Sequence, residues 1–116
     1  MGADKKPLTK EESAKVIEKA IRKAANKPTG ELTKADYEKV TELYLDGNQL
    51  TNVKGLEKLT KLEELDLGGN QLTNVKGLEK LTELKELNLE RNPDLTKAQI
   101  AELQKALPKC TIYRDF

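Results

Sequence analysis

Carboxylate side chains recur at a fixed spacing in the middle of this sequence, at Glu42, Glu64 and Glu86, each 22 residues after the one before. Carboxylates in such a pattern could act as general acids and bases, or could hold a cation or a basic partner. General acid and base catalysis needs a group with a shifted pKa, but the sequence has no His and no local motif that marks such a group. The glycines at Gly55 and Gly68 fit neither common nucleotide-binding pattern. We therefore expect no catalytic residues and no enzyme activity.

A single cysteine, Cys110, limits the thiol and metal chemistry that the chain could perform. It cannot form a disulfide within the chain, and there is no His or second Cys to complete a zinc site. A divalent-cation site built from Glu64, Asp66 and Glu86 is a weaker alternative, because no loop of backbone carbonyl ligands accompanies these residues. The sequence therefore predicts no metal and no cofactor.

The overall charge is close to balanced, with 21 Lys and Arg against 20 Asp and Glu in 116 residues. This balance argues against nucleic-acid binding, as does the lack of a basic run interleaved with aromatic residues. No apolar run approaches the roughly 20 residues of a membrane helix, and the first residues lack the apolar stretch of a signal peptide. We expect a soluble, cytoplasmic protein that binds neither nucleic acid nor membranes.

An internal repeat dominates the sequence, because the thirteen residues 48–60 recur without change at residues 70–82. Before each copy, and once more downstream, stands the frame apolar-x-x-Leu-x-Leu-x-x-Asn. Its members are Val40, Leu43, Leu45 and Asn48; Leu62, Leu65, Leu67 and Asn70; and Leu84, Leu87, Leu89 and Asn92. A degenerate fourth copy places Leu107, Cys110 and Ile112 in the same frame, displaced by 23 residues, with Asp115 at the Asn position. This period is typical of repeat architectures, and it predicts that Cys110 is a core residue.

The frame resembles that of the leucine-rich repeat family, and in particular its bacterial internalin-like branch, over roughly residues 40–112. The resemblance implies an α/β solenoid in which each repeat adds one short strand to a parallel sheet on the concave face and a tighter arc on the convex face. The residues fit this fold independently, because Leu43 and Leu45 are two apart and point to one face of a strand. A spacing of three residues among the following apolar positions suits a 3₁₀-like return arm. These positions are Leu50, Val53, Leu56 and Leu59.

The recurring asparagines at Asn48, Asn70 and Asn92 invite a functional interpretation as exposed amides. A structural role is favoured instead, because a buried turn leaves backbone donors and acceptors unpaired and an amide side chain can satisfy both kinds of group. We predict that this column of asparagines holds the turns of the solenoid.

Both flanks resemble the caps that repeat arrays need at their open ends. A capping box at Thr9 and Glu12 predicts a first helix, and the caps Thr33 with Asp36 and Thr96 with Gln99 predict two more. The predicted buried stripe of the first helix is Val16, Ile17, Ala20, Ile21 and Ala24. We predict one structural domain in three parts: a helical N-terminal cap at 1–39, leucine-rich repeats at 40–91, and a C-terminal cap with a helix and the last strand at 92–116.

Three rows of outward-facing residues cross the predicted concave face. The first row holds Glu42, Glu64, Glu86 and Lys109; the second Tyr44, Asp66, Asn88 and Thr111; the third Asp46, Gly68, Glu90 and Tyr113. Because neighbouring strands lie about 4.8 Å apart, the three glutamates form a ladder of like charges. Residues 40–91 carry ten acidic and seven basic side chains, whereas residues 1–39 carry seven and ten. The concave face is therefore predicted to be acidic.

The resemblance implies protein binding through the concave sheet, and the charge there predicts a basic protein or peptide as the partner. The candidate binding residues are Glu42, Tyr44, Asp46, Glu64, Asp66, Glu86, Asn88, Glu90, Thr111 and Tyr113. A solvated surface with no partner is the competing interpretation, because interface hot spots favour Trp, Tyr and Arg and this face offers two tyrosines.

Identity over thirteen residues, exposed positions included, indicates either a recent duplication or a consensus sequence. The complete caps and the Lys and Glu surface favour the consensus. We therefore predict a consensus or designed leucine-rich repeat scaffold, monomeric, with no evolved catalytic activity and suited to protein binding. The alternative is a small natural bacterial module that binds a basic partner through the acidic concave face.

Overall fold

The computed structural model describes residues 6–115, so residues 1–5 and 116 of the predicted caps lie outside it. The helices are α1 (Lys10–Ala25), α2 (Lys34–Glu38) and α3 (Lys97–Ala106). The strands are β1 (Glu42–Tyr44), β2 (Glu64–Asp66), β3 (Glu86–Asn88) and β4 (Thr111–Tyr113). The four strands form one parallel sheet in chain order. The α/β solenoid predicted from the sequence is confirmed.

The return arms pass through short 3₁₀ helices at Leu56–Lys58 and Leu78–Lys80, as the three-residue spacing predicts. Gly55 and Gly77 begin these helices with φ angles of 107° and 104°, which a residue with a side chain adopts only under strain. Every predicted apolar position of the first arm is buried, and the second arm repeats the pattern. The core therefore lies between the sheet and the return arms, and the solvated side chains of the strands point to the concave face.

The asparagine column has the structural role predicted for it. Asn70 is 1% exposed, and its Oδ1 atom accepts the backbone N–H groups of Asn48 and Leu50 at 3.0 and 2.9 Å. Its Nδ2 atom donates to the carbonyl oxygens of Leu45 and Leu67 at 3.1 and 2.9 Å. One side chain thus joins the turns of two successive repeats.

Asp115 does not take the place of an asparagine in the fourth repeat, contrary to the prediction from the repeat frame. It is exposed, and its Oδ2 atom accepts the backbone N–H of Arg91 at 2.9 Å. The equivalent asparagines of the preceding repeats, Asn70 and Asn92, are buried. Asp115 therefore supports the last turn from the surface.

All three capping boxes are present, at Thr9, Thr33 and Thr96. On α1 the buried positions are Ser13, Ile17, Ile21 and Ala25, with Val16 and Ala20 partly buried beside them. The prediction was wrong at Ala24, which is exposed, because the buried stripe continues at four-residue steps from Ile17 to Ala25. The Ser13 Oγ atom accepts the Thr51 N–H at 3.1 Å and so ties α1 to the first repeat.

The register of β4 differs from the prediction by two residues. Thr111 pairs with Glu86, Ile112 with Leu87 and Tyr113 with Asn88. Cys110 was predicted at the position of Leu87 but takes that of Leu84, because each donates its backbone N–H to the carbonyl three residues earlier, Leu107 and Leu81. The strand centre then follows Cys110 after two residues but Leu84 after three, so the net shift is two. Cys110 is 4% exposed and belongs to the core, as predicted.

Candidate functional site

Two rows of side chains cross the strands on the concave face once the observed register of β4 is applied. The first row is Glu42, Glu64, Glu86 and Thr111, and the second is Tyr44, Asp66, Asn88 and Tyr113. Lys109 precedes β4 and does not join the first row. Asp46 and Glu90 lie two residues beyond the ends of β1 and β3. Tyr113 therefore lies in the same row as Tyr44, and not in the separate row predicted from the sequence.

The predicted glutamate ladder is present. Glu42 pairs with Glu64, and Glu64 with Glu86, on neighbouring strands. Partial burial, together with the negative charges of Glu42 and Glu86, raises the pKa of Glu64 above its usual value. The Glu64 carboxyl is therefore harder to ionise than an isolated glutamate.

The two concave rows hold four carboxylates, those of Glu42, Glu64, Glu86 and Asp66, and no Lys or Arg. Within residues 6–115 the ion pairs are Glu18 with Arg22, Asp36 with Lys27 and Lys39, and Glu63 with Lys85. None of these pairs includes a residue of the two concave rows. The face thus presents negative charge that nothing in the described chain neutralises.

Tyr44 and Tyr113 are the exposed large apolar side chains of the described residues, at 57% and 45% of their surface. The Tyr44 hydroxyl donates to Oε1 of Glu42 at 3.3 Å. Partial desolvation and the charges of Glu42, Glu64 and Asp66 raise the pKa of Tyr44 above its usual value. The two rings stand at opposite ends of one row.

The middle of the second row is held by hydrogen bonds. Oδ1 of Asp66 accepts the Gly68 N–H at 2.9 Å and Nδ2 of Asn88 at 3.1 Å. Oδ1 of Asn88 accepts the Glu90 N–H at 2.9 Å, which fixes the orientation of the amide. Gly68 makes this arrangement possible, because a Cβ atom there would lie 2.8 Å from Nδ2 of Asn88. The sequence places Gly68 in a row of the concave face but carries no local signal for this close contact with Asn88, which lies 20 residues further along the chain.

A shallow cleft of about 190 Å³ lies between the two tyrosines. Its lining residues are Tyr44, Glu64, Leu65, Asp66, Glu86, Asn88 and Tyr113. Six of the ten predicted binding residues therefore meet in one place, whereas Glu42, Asp46, Glu90 and Thr111 lie around it. A larger groove of about 750 Å³ runs beside α1, but both acidic and basic side chains line it.

The carboxylates do not form a metal centre that can be recognised by its ligands. Within residues 6–115 no three His, Cys, Asp or Glu side chains are grouped so that they could hold a metal ion.

None of the helices within residues 6–115 combines the length and the apolar character needed to cross a bilayer.

Comparison with known proteins agrees with the fold. The family model for leucine-rich repeats in two copies matches residues 38–78 and 61–105. The chain belongs to the leucine-rich repeat family. Repeats of this family generally serve as protein-binding scaffolds.

Solved structures place this leucine-rich repeat protein near the bacterial internalins. Internalin C2 of Listeria monocytogenes is 31% identical, with a TM-score of 0.68, over 80% of this chain and 41% of its own length. A leucine-rich repeat protein of Leptospira interrogans is 29% identical, with a TM-score of 0.53, over 76% of this chain and 28% of its own.

A second internalin of Listeria monocytogenes, inlF, is 24% identical, with a TM-score of 0.58, over 84% of this chain and 35% of its own, and it supports the fold alone. The chain thus spans less than half the length of these proteins. No curated protein matches the sequence significantly.

Proposed function

We propose that this chain is a leucine-rich repeat scaffold without catalytic activity, and that its concave face binds a basic segment of a protein or peptide. The observation that carries the proposal is the gathering of four carboxylates in the two concave rows, which contain no Lys or Arg and take part in none of the ion pairs of the described residues. Uncompensated charge on a concave face attracts a partner of opposite sign and speeds its association.

The two exposed tyrosines also support partner binding through the concave face. Exposed aromatic residues are enriched where proteins bind partners, and both large exposed apolar side chains of the described residues lie on this face. The ten predicted binding residues form this surface, with Glu64 and Asp66 near its centre and Asp46, Glu90 and Thr111 at its margin.

The experiment is a binding titration with labelled peptides of the form Gly-Ser-X-Ser-X-Ser-Gly, followed by fluorescence anisotropy at low salt. We expect measurable binding where X is Arg or Lys, none where X is Glu, and weakening with added salt. Glu64→Gln should reduce the affinity roughly threefold to tenfold. Glu102→Gln removes one exposed carboxylate from α3 and serves as the matched control. Equal binding of the basic and acidic peptides would overturn the proposal.

A second candidate is a consensus scaffold with no ligand of its own. The specific observation in its favour is the identity of residues 48–60 and 70–82, which includes the exposed side chains Lys54 and Lys58. Idealised repeats tend to lack arrangements that reduce stability. This candidate therefore predicts no binding of any of the peptides, and no gain in stability when the glutamate ladder is neutralised.

Capping completes the proposal. We propose that residues 1–39 and 92–116 close the two ends of the repeats at 40–91 and leave a monomer. The apolar side chains of both caps are buried in the core, with Ile17 and Ile21 on α1 and Ile100 and Leu103 on α3, which supports this arrangement. Sedimentation velocity at micromolar and submillimolar concentration measures the oligomeric state, and a species of twice the mass contradicts this part.

A further inference from the structure

We propose that the cleft between Tyr44 and Tyr113 takes the side chain of arginine, in preference to lysine, from an extended peptide that crosses the concave face. The inference rests on the proposed function and names the chemistry that the site recognises.

The size of the cleft suits a single long side chain. Tyr44 and Tyr113 are separated by three strand spacings, about 14 Å, with Asp66 and Asn88 between them in the same row. A volume of about 190 Å³ holds one long side chain and not a helix. Each ring borders the cleft, so a planar cation seated there can lie against an aromatic face.

Several carboxylate oxygens of the cleft are free to accept hydrogen bonds from a ligand. Gly68 and Asn88 both donate to Oδ1 of Asp66, so its Oδ2 atom is left without a partner among the described residues. The Glu64 carboxyl also lies against that of Glu42, but neither Glu64 nor Glu86 has an ion pair with a Lys or Arg of the same residues. Acceptors on two neighbouring strands therefore face the same small space.

Guanidinium fits these acceptors better than ammonium does. It is planar, presents five N–H donors in a fixed fork, is weakly hydrated, and stacks on aromatic rings. It can bridge carboxylates on β2 and β3 while its face rests on a tyrosine ring. The ammonium group of lysine is compact and strongly hydrated, so it gains the charge attraction but less of the stacking.

The raised pKa of Glu64 is consistent with this arrangement. A bound guanidinium would favour the ionised carboxylate and offset the repulsion from Glu42 and Glu86. Asn88 contributes by holding Asp66 in place, so it is a positioning residue and not a contact that selects the cation.

The test compares three peptides of the same frame, Gly-Ser-X-Ser-X-Ser-Gly, in which X is arginine, lysine or citrulline. Citrulline keeps the planar shape of arginine but has no charge. We expect the arginine peptide to bind roughly fivefold to tenfold more tightly than the lysine peptide, and the citrulline peptide to lose most of the binding. Isothermal titration calorimetry at low salt measures all three affinities.

Two variants separate the parts of the inference. Tyr113→Leu keeps an apolar side chain but removes the ring, and it should reduce the preference for arginine over lysine by at least half while lysine binding changes little. Glu64→Gln should weaken both basic peptides, and Glu102→Gln on α3 should weaken neither. Circular dichroism of each variant verifies that the fold is retained.

The outcomes distinguish this inference from the proposed function. Equal affinities for arginine and lysine, both reduced by Glu64→Gln, would overturn the arginine preference and leave the basic-segment function standing. Absence of binding by both basic peptides would overturn the two together. Citrulline binding as tightly as arginine would show that charge is not what the cleft recognises, which also contradicts both.

Discussion

Glu64 and Glu86 occupy partner positions on β2 and β3, and neither carboxylate has an ion-pair partner within residues 6–115. Glu42 faces Glu64 from the other side, so the central glutamate lies between two like charges. Like charges directly opposed across a sheet reduce its stability. The concave face thus retains an arrangement that an idealised surface would avoid, which bears directly on whether this face evolved to bind.

Neutralising the ladder should stabilise the chain. In the double variant Glu64→Gln, Glu86→Gln we expect the Tm at low salt to rise by about 1–3 °C, because two opposed carboxylate pairs are removed. The gain should shrink in about 0.5 M salt, where charges are screened over a few ångströms. Thermal unfolding followed by circular dichroism measures both values. Coincident curves for the variant and the parent chain would identify the ladder as ordinary solvated surface and favour the scaffold without a ligand.

The pH dependence of stability should reflect two carboxyl groups with opposite pKa shifts. The raised pKa of Glu64 means that the folded chain takes up its proton before the unfolded chain does as the pH falls. Protonation of Glu64 therefore increases the free energy of unfolding as the pH falls toward the usual pKa of a glutamate. This contribution is lost as the pH rises through the pKa of Glu64 in the folded chain. The advantage of Glu64→Gln over the parent chain should thus be present at pH 7 and should disappear near pH 4.

The contribution of Asp36 to stability should depend on pH in the opposite direction. It is 5% exposed, its Oδ2 atom accepts the Thr33 N–H at 2.8 Å, and Lys27 pairs with it at 2.9 Å. The backbone N–H of Thr33 first, and then Lys27, hold its pKa well below the ordinary 3.8. The stability that its ionised form contributes is present above pH 3.8 and is lost as the pH falls further. We expect Asp36→Asn to lower the Tm by about 3–6 °C at pH 7, with a smaller difference at pH 2–3.

Much of this fold could be predicted from the sequence because the residues that determine each repeat lie close together in the chain. The frame Leu-x-x-Leu-x-Leu-x-x-Asn places Leu65 and Leu67 inside and Asn70 at the buried turn, and the capping boxes at Thr9 and Thr96 mark the helix starts. Each of these features depends on residues a few positions apart, so periodicity and capping chemistry were sufficient.

The register of β4 could not be predicted in the same way. Strand side chains alternate with a period of two, so a shift of two residues leaves Thr111 and Tyr113 on the same face. Burial patterning therefore could not distinguish Tyr113 beside Asn88 from Tyr113 beside Glu90. The register depends on the connection that leads into β4. This connection follows α3 and not a 3₁₀ helix, and it reaches Ile112 two residues after Cys110. The two-tyrosine cleft was missed for this reason.

Removing the side chain of Asn70 should be among the most destabilising single changes on the turns. Asn70→Ala leaves the N–H groups of Asn48 and Leu50 and the carbonyl oxygens of Leu45 and Leu67 without their buried partner. We expect a loss of about 2–4 kcal/mol in the free energy of unfolding.

Asn48→Ala is the matched control for Asn70→Ala. Asn48 is half-buried and donates to the carbonyl oxygens of Leu45 and Asp46. We expect a loss of about 1 kcal/mol or less, because water can replace these bonds. Urea unfolding provides both values, and similar losses for the two variants would contradict the bridging role of Asn70.

Gly68 links the stability of the sheet to the geometry of the cleft. A methyl group at this position would lie 2.8 Å from Nδ2 of Asn88, the atom that donates to Asp66. In Gly68→Ala we expect the amide of Asn88 to move, the hydrogen bond to Asp66 to break, and the free energy of unfolding to fall by about 1 kcal/mol. Because Oδ1 of Asp66 then keeps one donor instead of two, its carboxylate should turn more freely, and the arginine peptide should bind with lower affinity.

Asn88→Ala is the matched comparison for that effect, because it removes the same hydrogen bond without adding volume beside Gly68. The two variants should weaken the arginine peptide to a similar extent, while Gly68→Ala loses more stability. Urea unfolding and calorimetric titration of both variants measure these differences. Gly68→Ala could instead bind the peptide as tightly as the parent chain while Asn88→Ala does not. That result would mean that Asn88 still holds Asp66 when residue 68 has a side chain, and it would contradict the role proposed for Gly68.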